Sequence, residues 1–378
     1  MLHFRAVVTA SLAMFAMFFG SGNIVFPLMV GVKSSDQYIF AGLGLMITGV
    51  LVPFLGLFSM VIFHGDKDKY FGLLGKYAPF ILSLLILSLI GPFGVVPRCI
   101  LVSFGGVSLI FPQLPLYIFS AIFVFLIYLI LRKKNNVVGV IGKYLGPLKI
   151  AGIILIVYSA VKQSPALISN FDIDNAFFIG INEGYQTMDL MATFFFSITI
   201  VEFLKKIAKN ENETLKISLV SCLIGALLIT AIYACFIYLG AHYAPSLSDI
   251  KPEQYLATIA QITLGKYATL IVAATIFLSC LVTAASLIRV SAEFLRKDIT
   301  KQKISWEIAV VITLIISFVL SLTGFKLIVN FLGSILVYAY PALISLTIAS
   351  ILYKFYKFIW VKEVFWLTLI ISALYKHI

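Results

Sequence analysis

Charged side chains are scarce in this sequence. Asp, Glu, Lys and Arg account for 12% of its 378 residues, whereas apolar residues account for 61%. The charged fraction of soluble domains is about 25%. The apolar residues form successive runs of about 20 residues, which is the length needed to cross the ~30 Å hydrocarbon core of a bilayer. The composition therefore predicts an all-α polytopic membrane protein, with a single transmembrane domain (residues 1–378) of about eleven helices.

Histidine and cysteine are also few. The four histidines lie near predicted membrane edges or termini, and the four cysteines lie inside apolar segments without the spacing of metal ligands. No glycine-rich phosphate loop follows a predicted strand. No nucleophile has a candidate base close by in the sequence. We therefore expect no catalytic residues, no enzyme activity and no cofactor.

Acidic residues are fewer than basic ones, which gives a formal net charge of +12. The basic residues do not form one patch but collect in alternate loops, as the positive-inside rule requires. This distribution predicts a multi-pass protein of the cell (inner or cytoplasmic) membrane with a cytoplasmic N-terminus. It argues against a nucleic-acid partner. The expected partners are the lipid bilayer and a small-molecule substrate, and the oligomeric state stays open.

The first apolar segment, residues 5–32, contains poor helix formers at its middle. Gly20, Ser21, Gly22 and Asn23 interrupt the run AMFAMFFGSGNIVFPLMVG, and glycine costs roughly 0.5–1 kcal/mol against alanine in a helix. Backbone groups freed in lipid must find a protein or ligand partner. The pattern predicts a broken helix that holds a small ligand, with close helix packing through small residues as the alternative.

A second interruption is predicted in the sixth segment, residues 176–204, near residues 182–184. Because the two interrupted segments are five apart, they cross the bilayer in opposite directions, as in an inverted repeat. We expect a first repeat over residues 5–161, a second over 175–353 and an extra helix over 358–375. The half-helix after a break suits a carboxylate, and the half-helix before it suits a cation.

Polar side chains accompany these breaks. Tyr185, Gln186, Thr187 and Asp189 are costly in lipid and are expected to face the bundle interior. Asp189 could bind a cation, receive an ammonium group, carry a proton or cap a half-helix. In the eighth segment, Ser279 and Thr283 lie four residues apart and share a helix face, so their hydroxyls could bind an ion or their own backbone.

Cationic side chains also lie within apolar segments, at Arg98, Lys143, Lys149 and Arg289. Arg98 is interpreted as a structural or gate-forming residue, because a buried guanidinium needs a partner or a watery cavity. Lys149 is left without an assigned role.

At these positions the chain resembles the branched-chain amino acid:cation symporter (LIVCS) family, of the amino acid-polyamine-organocation superfamily. The resemblance covers nearly the whole chain. The matching motifs are MFFGSGNIVFP (17–27), GPFGVVPRCILVSF (91–104), GYQTMD (184–189), CLVTAASLIRVSAEF (280–294) and FLGSILVYAYP (331–341).

The resemblance implies a five-plus-five inverted-repeat (LeuT-type) fold and uptake of leucine, isoleucine and valine with Na⁺ or H⁺. In the implied site, the main chain at the first break binds the substrate carboxylate. Carbonyl groups near Gly184 and Tyr185 bind the substrate amine. Val282 occupies a position where this fold often has a second hydroxyl group. The coupling ion could therefore be H⁺ instead of Na⁺. The candidate substrate-binding residues are Phe18, Ser21, Gly22, Asn23, Gly184, Tyr185, Gln186, Thr187 and Asp189; the candidate Na⁺ site comprises Ala16, Phe19, Ser279 and Thr283.

The function expected from the sequence is secondary active symport by alternating access. A passive channel or an exchanger for other small neutral amino acids is the second reading, and a membrane-embedded enzyme is the third. The coupling ion and the preference among the three branched substrates stay open at this point.

Overall fold

The structure, a computed structural model, describes residues 2–132, 145–167 and 175–375. These residues form helices joined by short turns, and no strand occurs among them. In a bilayer an α-helix satisfies its backbone hydrogen bonds internally, so the long apolar runs of the sequence become helices. The predicted all-α polytopic class is confirmed.

The first half of the chain supplies nine helices within its described residues. They are α1 (Leu2–Phe18), α2 (Ser21–Ser34), α3 (Tyr38–Met46), α4 (Val52–Ile62), α5 (Lys67–Gly72), α6 (Ala78–Ile90), α7 (Val95–Ser108), α8 (Leu116–Arg132) and α9 (Gly146–Lys162). A π-helical turn, Ile47–Leu51, joins α3 to α4.

The second half supplies eight α-helices within its described residues. Its helices are α10 (Ala176–Thr187), α11 (Asp189–Lys205), α12 (Glu211–His242), α13 (Ala244–Leu247), α14 (Tyr255–Phe294), α15 (Trp306–Ser321), α16 (Phe325–Tyr356) and α17 (Val361–Tyr375). Gly265 has a positive φ of 74° inside α14, and this kink separates a short first section from the long apolar section that follows.

By length and composition, six helical segments of the described chain can cross a membrane, and three shorter apolar helices accompany them. The count of eleven spans, the repeat boundaries and the cytoplasmic N-terminus stay predictions. The third segment differs from its expected form. Its apolar run, residues 77–110, is long enough to be read as one span, but residues 91–94 separate α6 from α7, because Gly91 and Gly94 leave the helical conformation and Pro92 has no N–H to donate.

Glycine allows two pairs of helices to touch through their backbones. A Cβ atom at Gly31 of α2 would lie 2.6 Å from the amide nitrogen of Ala241 in α12, and one at Gly44 of α3 would lie still closer to the carbonyl oxygen of Phe177 in α10. Real Cβ atoms essentially never approach another heavy atom closer than 3.0 Å. The pairs α2–α12 and α3–α10 therefore pack with no side chain between them at these points.

Candidate functional site

The first segment is broken at its middle, as predicted. Helix α1 ends at Phe18 and α2 begins at Ser21, with Gly20 outside the helical conformation at φ −117° and ψ −148°. The side chain of Asn23 folds back, and its Oδ1 accepts a 3.1 Å hydrogen bond from the Gly20 amide. The amides of the first turn of α2 have no partners within the helix. The break thus presents backbone donors deep inside the protein.

The second break lies at Met188, so its predicted position near residues 182–184 is wrong. Helix α10 continues to Thr187, and Met188 adopts the left-handed conformation with φ 59° and ψ 19°. The polar residues at the predicted position do not unwind the helix because they find partners. Glu183 pairs with Lys33 of α2, and Gly184 packs closely against Thr48.

The two breaks face each other. A Cβ atom added at Gly22 would lie 3.1 Å from the carbonyl oxygen of Thr187 and 3.2 Å from its Cα. The start of α2 and the end of α10 are therefore in backbone contact. This is the arrangement that the spacing of the two interrupted segments predicts.

A buried polar cluster joins the breaks to α12. The Nδ2 group of Asn23 donates to Oδ2 of Asp189 over 2.7 Å, and the hydroxyl of Tyr233 donates to the same oxygen over 3.0 Å. Asn23 is also hydrogen-bonded to Tyr233. All three side chains are buried. Tyr233 was missed in the sequence, where the available signal was a tyrosine within the long apolar run that forms α12.

Arg98 of α7 holds the backbone at the second break. Its guanidinium donates to the carbonyl oxygen of Gln186 over 2.9 Å and to the sulfur of Met188 over 3.2 Å. The side chain is fully buried and lies 5.4 Å from the centre of the Phe26 ring. A cation at the carbonyl end of a helix is favoured by the helix dipole. Arg98 thus stabilises the end of α10 and the strained residue that follows it.

We expect Arg98→Met to destabilise the protein by about 2 kcal/mol or more, because it removes a charged hydrogen bond and leaves a buried carbonyl without its donor. The measurement is the melting temperature of the detergent-solubilised protein. The matched control is Arg132→Met, which changes an exposed arginine at the end of α8. Equal melting temperatures for the two variants would contradict the role of Arg98.

The two breaks line a narrow cavity with a volume of about 10 Å³, which is room for about one water molecule. Six of the predicted substrate-binding residues lie in its wall: Phe18, Ser21, Gly22, Asn23, Thr187 and Asp189. The wall also contains residues that the sequence did not single out for the substrate: Gly20, Ile90, Val95, Met188, Ala192, Phe196, Thr283 and Leu287.

The other three predicted substrate residues do not line this cavity. Gly184 packs against Thr48, in the π-helical turn between α3 and α4. Tyr185 packs its ring against that of Tyr340 at 4.7 Å, and the side chain of Gln186 donates to the carbonyl oxygen of Val329 over 3.3 Å. Because α10 stays helical to Thr187, these residues turn to its packed faces instead of lying in an unwound loop.

The four candidate Na⁺ ligands converge on one point beside the first break. Thr283 Oγ1 donates to the carbonyl oxygen of Ala16 over 3.4 Å. The ammonium group of Lys149 lies between the segments and donates to the carbonyl oxygens of Ala16 (2.9 Å), Phe19 and Ser279 (3.4 Å). The Na⁺ assignment stays a prediction. The sequence did not indicate that Lys149 lies at this site.

Comparison with known proteins identifies the family. The family model described as "Branched-chain amino acid transport protein" matches residues 4–377. The branched-chain amino acid permease BrnQ of Bacillus subtilis is 28% identical over 367 residues, which cover 93% of this chain and 82% of the permease.

Solved structures share the fold at low sequence identity. A crystal structure of MhsT in complex with L-phenylalanine matches with a TM-score of 0.64 and 17% identity, over 97% of both chains. The inward-facing conformation of Mhp1 matches with a TM-score of 0.61 and 12% identity, over 91% of this chain and 77% of the other. The expected LeuT-type fold is thereby confirmed. The chain is a transporter, not an enzyme, and it belongs to the family of branched-chain amino acid transport proteins.

Proposed function

We propose that this chain imports leucine, isoleucine and valine by symport with Na⁺ or H⁺ through alternating access at the cavity between the two breaks. The observation that carries the proposal is the backbone contact between Gly22 and Thr187, which brings two helix interruptions of a branched-chain amino acid transport protein into one enclosed site. The same proposal places the chain in the cytoplasmic membrane with its N-terminus inside.

The polar end of the site suits a zwitterion. The first amides of α2, at Ser21 and Gly22, offer donors at the positive end of a helix, which favours a carboxylate. The carboxylate of Asp189 uses Oδ2 for Asn23 and Tyr233, so Oδ1 is the oxygen that can accept from a substrate ammonium group. This acceptor replaces the carbonyls of Gly184 and Tyr185, which accept from Thr187 Oγ1 and the Met188 amide.

The apolar part of the wall suits a branched aliphatic side chain. Phe18 packs edge-on against Phe196, with ring centres 5.1 Å apart, and both rings line the cavity. Burying a Leu, Ile or Val side chain is worth about 1.5–3 kcal/mol. The remaining apolar lining comes from Ile90, Val95, Met188, Ala192 and Leu287.

The test is uptake of labelled leucine into proteoliposomes with a Na⁺ gradient and a pH gradient imposed separately. Symport requires accumulation of leucine above the external concentration and its collapse when the driving gradient is dissipated. Equilibration without accumulation would instead indicate a channel or an exchanger. Isoleucine and valine are expected to compete with leucine, whereas charged amino acids are not.

A further inference from the structure

We propose that the ammonium group of Lys149 is the resident cation of the site formed by Ala16, Phe19, Ser279 and Thr283, so that this transporter binds its substrate without Na⁺ at that position. The inference rests on the proposed function for its transported substrate, but it makes a separate statement about ion binding. It replaces a diffusible ion by a side chain supplied by α9.

The hydrogen-bonding capacity of the ammonium group is fully used at this site. A lysine ammonium has three N–H donors and no acceptor. Here the three donors meet three carbonyl oxygens, those of Ala16, Phe19 and Ser279. Two of these carbonyls belong to the last turn of α1 and the break after it, where a helix leaves carbonyl groups without partners. Lys149 therefore satisfies the acceptors that a bound cation would otherwise be needed to satisfy.

The surroundings of Lys149 offset part of the cost of burying a cation, although the described residues supply no carboxylate partner for it. The side chain is fully buried, and none of the ion pairs recorded among the described residues includes it. The carbonyl end of α1 supplies negative potential. The rings of Phe15 and Phe19 lie 5.9 Å and 5.4 Å from the nitrogen, within the range of a cation–π interaction.

A Na⁺ ion added to the same carbonyls would lie against this ammonium group. Two like charges so close together in a buried site repel each other strongly. The ion would also have to displace the N–H donors from their acceptors. The remaining oxygens are the hydroxyl of Thr283, which donates to the Ala16 carbonyl, and Ser279 Oγ, which has no hydrogen-bond partner in the described structure. Two hydroxyl oxygens are too few to hold Na⁺ alone.

Lys149 also explains how the first break can be held without an ion. Its nitrogen joins α9 to the end of α1 and to α14 at one point. The unwound backbone at Phe19 and Gly20 thus keeps its conformation when no ion is bound, and Gly20 remains packed against Thr283. The amides of α2 that face the cavity are then in place before the substrate arrives.

The first experiment uses the purified full chain in detergent. Binding of labelled leucine and the melting temperature are measured in NaCl and in choline chloride. We expect the leucine dissociation constant to change by less than about twofold between the salts and the melting temperature to be unaffected by Na⁺. A dissociation constant that rises about tenfold or more when Na⁺ is removed, or a saturable Na⁺-dependent rise in melting temperature that Lys149→Ala abolishes, would overturn the inference.

The second experiment compares Lys149→Ala with Lys162→Ala, which removes an exposed lysine from the end of the same helix. Lys149→Ala is expected to weaken leucine binding about tenfold or more and to recover it in methylammonium or Na⁺, whereas Lys162→Ala stays like the unaltered chain. Unaltered affinity of Lys149→Ala with no added cation would overturn the inference. If the variant does not fold, the salt comparison on the unaltered chain decides.

These results separate the inference from the proposed function. A chain that binds no leucine in any salt contradicts the proposed function, and the effect of Na⁺ on its melting temperature still decides the inference. A chain that binds leucine only with Na⁺ contradicts the inference and leaves the proposed function supported.

Discussion

Replacing Gly22 with valine is expected to abolish leucine binding, with a loss of affinity of at least about 100-fold, or about 2.8 kcal/mol. The reason is the contact between the two breaks, where a Cβ atom would lie 3.1 Å from the carbonyl oxygen of Thr187. A branched side chain needs more room than this, and overpacking of a buried site costs about 1–3 kcal/mol. It would also cover the amides that are proposed to receive the carboxylate. Equilibrium binding of labelled leucine to the purified variant measures the loss.

The matched control is Gly72→Val. Gly72 ends the short helix α5, and a Cβ atom there would have no neighbour within 4 Å. We expect this control to bind leucine like the unaltered chain. Wild-type leucine affinity in Gly22→Val, in a variant that keeps its melting temperature, would contradict the placement of the substrate at the first break.

Replacing Asp189 with alanine is expected to remove the common acceptor of the polar cluster and to lower leucine affinity by at least about tenfold. The Asn23 amide and the Tyr233 hydroxyl both donate to one oxygen of Asp189. Each donor left unpaired in a buried site costs about 1–3 kcal/mol. We therefore also expect a lower melting temperature, together with loss of the proposed acceptor for the substrate ammonium group.

Asp189→Asn distinguishes the two contributions, because its amide retains one acceptor oxygen for the cluster but carries no charge for the substrate. It is expected to recover much of the melting temperature and little of the leucine affinity. Asp68→Ala is the control, since that carboxylate is 71% exposed near the start of α5. An Asp189→Ala variant that transports leucine normally would show that the carboxylate is not part of the substrate site.

The sequence predicted the helical class, the order of the apolar segments and the pairing of two breaks, because these depend on apolar run length and on residues with low helix propensity. The position of the second break could not be predicted in this way. Glu183 and Gly184 look unfavourable in a span, yet Glu183 pairs with Lys33 and Gly184 packs against Thr48 within a continuous helix. Methionine is a good helix former, so nothing local marks Met188.

The site shows the same division between local and long-range information. Gly20, Ser21, Gly22 and Asn23 were identified from one stretch of sequence, and all four line the cavity. The contacts of Lys149 with Ala16 and of Tyr233 with Asn23 join residues 133 and 210 positions apart. Such contacts depend on how the helices pack, which no periodicity within a single segment reports.

The glycine contacts of α2 with α12 and of α3 with α10 have a mechanical consequence. Two helices that touch through side chains can slide past each other when those side chains change rotamer. Gly31 and Gly44 instead place main chain directly against main chain, so these contacts contain no side chain that could change rotamer. If access alternates as proposed, the two helices of each pair must therefore move together as a rigid body. The backbone has to bend outside these contacts, at helix interruptions such as residues 91–94. We therefore expect a cross-link between α2 and α12 near Gly31 to leave transport intact.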